Sequence, residues 1–189
     1  MSTSTTPAGV PRSCAGCTLC CKLVPVDALA KPGGVWCGHC RAGQGCAIYA
    51  DRPFDCRTFQ CGYLIDPNLD ARWFPERSKL VVTADATRMV IHVDPGRPDA
   101  WRREPYYAHI KRWAVTGARL RRQVLVLHGR SVTAVLPDRD KPLGEIGPDQ
   151  FVLTTEYRTP VGLQLDAVIV GKDDPRLPPQ PAPATARPS

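Results

Sequence analysis

All nine cysteines of this 189-residue chain lie between Cys14 and Cys61, and the rest of the sequence has none. A thiol in a reducing compartment is bound to metal, catalytic or idle, and nine idle thiols in one short window would be an oxidation hazard. In an exported domain the same density would read as a disulfide framework. The count is odd, however, and the polar start rich in Ser and Thr, with Pro7 and Pro11, lacks the basic-then-apolar pattern of a secretory leader. No apolar run approaches the roughly 20 residues that cross a bilayer. The expectation is a cytoplasmic protein without membrane contact, whose cysteines hold a metal ion.

The spacing supports metal. Cys14 and Cys17 form one CxxC pair, Cys37 and Cys40 a second, and 19 residues separate the pairs, as in a four-cysteine zinc site. Two residues between the thiols make a tight turn that brings both sulfurs to one ion, at about 2.3 Å for zinc. Cys20, Cys21, Cys46, Cys56 and Cys61 remain, enough for a second four-thiolate site with one left over. Adjacent residues project in different directions, so Cys20 and Cys21 are expected to serve different sites, or one to be a ligand and the other not. All nine cysteines are therefore candidate metal ligands. Alternatively, Cys14, Cys17 and Cys20 match the first three ligands of the run that holds a ferredoxin-type cluster. Zinc is the default for thiolate sites in a reducing cell, whereas iron in an iron-sulfur cluster would imply redox or group-transfer chemistry. A catalytic zinc keeps one coordination position open, and a surplus of thiolates points instead to a structural or sensing role. His39, between the cysteines of a pair, is expected to point away from their ion. Arg52 and Arg57 are close enough in sequence to Cys46, Cys56 and Cys61 to donate hydrogen bonds to anionic sulfur.

The same residues carry a resemblance. Cys14-x2-Cys17-x2-Cys20-Cys21, then Trp36-Cys37-x-His39-Cys40, then Gly45-Cys46-Ala47-Ile48-Tyr49-x-Asp51-Arg52-Pro53-x2-Cys56-Arg57-x3-Cys61 resembles the bacterial CxxCxxCC family of zinc- or iron-chelating domain proteins. The resemblance covers residues 14 to about 64. It implies metal chelation by the family's cysteine positions, each of which has a match here, and makes Cys40 the extra one. Similar modules occur in a flagellin lysine methyltransferase associated with an iron-sulfur cluster, but this sequence shows no methyl-donor motif. An iron-sulfur enzyme stands as an alternative to a binding protein.

The rest of the chain reads as an α+β fold: a small irregular cysteine-rich metal-binding module followed by an antiparallel-sheet unit with one main helix. Residues 1–12 are expected to be disordered. Residues 13–65 form the module, with too few large apolar side chains to fold unaided. A structural zinc site would contribute on the order of 10 kcal/mol to its folding. Residues 66–171 form the α+β unit. Strand patterns run over Lys79–Thr83, Arg88–Val93, Gln123–His128, Ser131–Leu136, Phe151–Tyr157 and Val161–Val170. Turns are expected at Ala84–Thr87 and Gly129-Arg130. Glu104–Arg122 is predicted helical, with Tyr106, Ile110, Trp113, Ala114 and Gly117 on one apolar stripe. Residues 172–189, with six prolines, read as a disordered tail.

P-loop, dinucleotide-binding and nucleophile-elbow motifs are absent from the sequence. His92, His109 and His128 fall on a predicted strand, helix and strand end, where structural roles are the expectation. From Arg97 to Arg130, nine basic residues face two acidic ones, Asp99 and Glu104. An acidic or nucleic-acid partner on that helix region is the second alternative, set against a simply solvated helix face.

Overall fold

The computed structural model describes residues 12–14, 16–160 and 162–177. Residues 1–11 of the expected disordered start and 178–189 of the expected disordered tail lie outside the described residues, whereas Arg12 is held in place by donating to the carbonyls of Tyr63 (2.8 Å) and Asp66 (2.8 Å). In chain order the elements are α1 (Cys20–Leu23), β1 (Cys40–Arg41), β2 (Gly45–Cys46), α2 (Phe54–Thr58), α3 (Gly62–Ile65), α4 (Pro75–Ser78), β3 (Leu80–Ala84), β4 (Arg88–Val93), α5 (Tyr106–Arg119), β5 (Gln123–His128), β6 (Ser131–Val135), β7 (Asp140–Glu145), β8 (Gln150–Thr159) and β9 (Gly162–Gly171). The class is α+β, with antiparallel sheets and one main helix.

Strands β3 to β7 form a five-stranded sheet in sequential order. Its neighbours are antiparallel except β4 and β5, which run parallel from Arg88↔Gln123 to Val93↔His128. A parallel pair needs a long crossover, and α5 occupies it. The expected first turn forms because Asp85 Oδ1 accepts from the backbone N–H groups of Thr87 (2.7 Å) and Arg88 (2.9 Å), a side chain standing in for a backbone turn. The second turns at Gly129, whose φ of 60° suits glycine.

α5 is shorter than the predicted helix. It closes where the Arg122 N–H returns to the Gly117 carbonyl (2.8 Å), with Arg121 at positive φ. A Cβ on Gly117 would sit 2.8 Å from the Arg122 carbonyl oxygen, so the tight return to β5 requires glycine there.

Strand alternation divides the sheet's two faces. Leu80, Val82, Ile91, Val93 and Val126 point to the core that contains Ile110 and Ala114 of α5. Trp73 and Trp101 close the same core. Val81 points the other way, into a second cluster with Leu19, Leu23 and Cys61. His92 is directly opposite Val81 in register and shares that face. The cysteine-rich segment therefore packs on the sheet surface that α5 does not cover.

The chain divides into two compact units between Glu145 and Ile146. The first holds the cysteine-rich segment, the five-stranded sheet and α5. The second is built on the β8–β9 hairpin, paired from Gln150↔Gly171 to Thr159↔Gly162, with Lys172 and Asp149 in an ion pair at its base (3.3 Å). Among the described residues, no helix is long and apolar enough to cross a membrane.

Candidate metal centre

Short-range backbone geometry positions the thiols. The first CxxC pair is a turn in which the Cys17 N–H donates to the Cys14 carbonyl (2.7 Å), and Gly16 takes a φ of +80° that other residues rarely adopt. The chain then enters α1, which carries Cys20 and Cys21. In the second pair the Cys40 N–H donates to the Cys37 carbonyl (3.0 Å), and the Cys37 N–H donates to the Cys21 carbonyl (2.9 Å). The two-residue strands β1 and β2 then set Cys40 directly opposite Cys46. Thr18 Oγ1 accepts from the Gly43 N–H (3.0 Å), joining the β1–β2 turn to the loop before α1. Cys56 lies on α2, and Cys61 immediately precedes α3. A Cβ on Gly62 would lie 3.0 Å from the Val82 carbonyl oxygen, so this glycine lets Cys61 settle against β3.

By the charges they feel the thiols fall into two neighbourhoods, which part the two CxxC pairs whose spacing suggested a single four-cysteine site. Cys20 feels the charges of Cys17, Cys14 and Cys61, and Cys61 in turn feels those of Cys17 and Cys14. Cys56 feels Cys21, Cys37 and Cys46, and Cys40 feels Cys21 and Cys37. Cys20 and Cys21 stand at the seam and share a side-chain hydrogen bond. That bond holds the Cys20 thiol below its usual value, against burial and the three neighbouring sulfurs. It raises Cys21 strongly, with burial acting in the same direction. Burial, followed by the charge of Cys21, pushes Cys40 up to about 11. Burial also raises Cys17, Cys56 and Cys61. Backbone hydrogen bonds at Leu19 and Glu76 oppose the rise at Cys17, while the Glu76 charge adds to it.

All nine cysteines are free thiols. Among the described residues, no three His, Cys, Asp or Glu side chains are grouped so as to hold a metal ion. The structure thus brings the candidate ligands into two sets without closing either into a coordination sphere. The donor chemistry suits a soft or borderline ion: each neighbourhood is rich in sulfur, and a cation, Lys31, lies beside the second.

Lys31 is a feature that the sequence did not flag. It is 7% exposed, and its ammonium feels the charges of Cys37, Cys21, Cys20 and Cys56. Sequence proximity favoured the arginines instead. Arg52, however, donates to the Tyr49 carbonyl (2.9 Å) and lies over the Tyr49 ring at 3.6 Å. Arg57 is exposed, as is His39. His109 stacks on Trp73 at 5.6 Å, and His92 lies under the cysteine-rich segment rather than among the thiols. Of the nine basic residues between Arg97 and Arg130, Arg102 pairs with Asp140, Arg130 with Glu145, Arg122 donates to Ala86, and Lys111 donates to Leu136. Compared with family models, with curated proteins and with solved structures, the chain matches none.

Proposed function

We propose that residues 14–61 chelate zinc or iron through two thiolate sets, in a structural, sensing or redox role. The first set is Cys14, Cys17, Cys20 and Cys61. The second is drawn from Cys21, Cys37, Cys40, Cys46 and Cys56, one of which is surplus to four-coordination. The observation that carries this reading is the gathering of sulfur on either side of the hydrogen-bonded Cys20 and Cys21, with Cys17, Cys14 and Cys61 acting on Cys20 and Cys40 on Cys21. Ion binding would draw each set inward and release the protons that burial favours on Cys17, Cys40, Cys56 and Cys61. The engaged side chains of Arg102, Lys111, Arg122 and Arg130 weaken the case for a nucleic-acid surface. The CxxCxxCC resemblance points to the same chelating role.

Serine variants of the intact chain test the reading. Cys17→Ser should lose the metal of the first set, and Cys37→Ser/Cys56→Ser, which leaves the second set too few thiolates for four-coordination, that of the second. Full metal content in both variants would contradict the ligand assignment. Brown colour with acid-labile sulfide in protein prepared without oxygen would identify a cluster, and colourless protein containing zinc a closed zinc site.

A further inference from the structure

Resting on that reading, we propose that Lys31 is the charge-compensating residue of the second thiolate set, a buried cation whose partner is the negative charge of the metal-loaded sulfurs. Its ammonium donates to the carbonyls of Lys22 (3.1 Å) and Val24. Its backbone is fixed by reciprocal hydrogen bonds with Val26. Lys22 directly follows Cys21, whose carbonyl holds the Cys37 N–H, so the ammonium sits one peptide from the strand of chain that joins two ligands.

A buried ammonium is costly unless a counter-charge compensates it. Lys22, close by, shows the usual solution, with Asp94 Oδ1 at 2.7 Å. Among the described residues, no carboxylate pairs with Lys31. Among the described residues its ammonium has two carbonyl acceptors for its three donors. The charges that act on it are those of four cysteines, and it acts in turn on His92, a residue that burial keeps neutral. Four thiolates on a divalent ion carry a net charge of about −2, and a fixed cation beside them lowers the cost of keeping it out of water. The first set has the opposite surroundings, because Glu76 adds a negative charge near Cys17. The two sets should therefore differ in affinity, with the second filling first.

The test uses the full chain in two backgrounds, Cys17→Ser to leave the second set and Cys37→Ser/Cys56→Ser to leave the first. Zinc affinity is measured by chelator competition, and cobalt(II) absorption reports thiolate ligation. Lys31→Gln keeps a hydrogen-bond donor for the carbonyls and removes the charge, whereas Lys31→Arg keeps the charge. On the Cys17→Ser background Lys31→Gln should weaken zinc about tenfold or more, and Lys31→Arg should restore most of the loss. On the Cys37→Ser/Cys56→Ser background the loss should be much smaller, since only Cys20 of the first set acts on the ammonium. Unchanged affinity in Lys31→Gln, or equal weakening on both backgrounds, would overturn the role of Lys31 alone. Failure of both parent backgrounds to take up zinc or cobalt would overturn the thiolate reading, and Lys31 with it. Circular dichroism of each metal-free variant separates lost charge from lost fold.

Discussion

Lys22 Nζ lies 2.7 Å from Asp94 Oδ1, so the helix that carries Cys20 and Cys21 is tied by charge to the residue that follows β4. The same carboxylate oxygen accepts from the Gly96 N–H (2.8 Å). Burial alone would raise the Asp94 pKa, but the Lys22 and Gly96 hydrogen bonds and the charges of Lys22 and Lys79 hold it below the usual carboxylate value. Asp94→Ala should therefore lower stability by about 1–3 kcal/mol, since it leaves a partly buried ammonium without its partner. Urea unfolding of the metal-loaded chain measures this. A change within a few tenths of a kcal/mol would show that the clamp contributes nothing.

His92 gives the fold a dependence on pH. Its ring lies 3.2 Å from Thr83 Oγ1, and burial, followed by the Lys31 charge, lowers its pKa from 6.5 to about 4. In the unfolded chain the imidazole takes up a proton as pH falls below 6.5, while the folded chain resists until about 4. Stability is therefore complete above the unfolded value and drains away across that window, by roughly 3 kcal/mol in all. The depressed carboxyl of Asp94 acts in the same direction at lower pH, its contribution vanishing as pH falls through its folded pKa. His92→Gln should flatten the slope between pH 6.5 and 4 in urea unfolding, and an unaltered slope would assign it to other groups.

Gly62 holds the seat of Cys61. An added Cβ would meet the Val82 carbonyl oxygen at 3.0 Å and its Cβ at 3.1 Å, and neither can swing away as a flexible tip could. Gly62→Ala should cost about 1–3 kcal/mol through overpacking. Gly38→Ala, where an added Cβ meets nothing within 4 Å, is the control expected to change little. Thermal unfolding of both variants makes the comparison, and equal midpoints would refute the packing argument.

Thiol alkylation offers a separate check on placement. Cys14 is exposed, whereas Cys61 is 8% exposed and its pKa is raised by burial. In the metal-free chain Cys14 should react first and Cys61 among the last, since attack needs both access and thiolate. Mass spectrometry of a timed iodoacetamide reaction reads the order. Early labelling of Cys61 would place it outside the cluster with Leu19, Leu23 and Val81.

The strands flanking the two short turns, and α5, were legible because each repeats its apolar residues at its own period. β7 was not, because Pro142 and Gly144 interrupt the alternation. Its place at the sheet edge accommodates the proline, and pairing with β6 shifts register between Val132 and Thr133. The parallel union of β4 and β5 was also hidden, since periodicity marks a strand but not its partner. At the candidate site, spacing pointed to the cysteines, but the expected divergence of Cys20 and Cys21 is bridged by their mutual hydrogen bond. Spacing did not reveal Lys31, whose neighbours come together only through the packing of α1 and the loop after it on the sheet. Arg52 and Arg57 drew attention because they are near the cysteines in sequence, but Arg52 turned to Tyr49.

Metal analysis of the intact chain, prepared without oxygen, bears most directly on the thiolate sets. The expected result is zinc or iron in stoichiometric amount, with strong chelator removing the metal and loosening residues 14–61. A chain free of transition metal that stays compact and equally stable in chelator would contradict it.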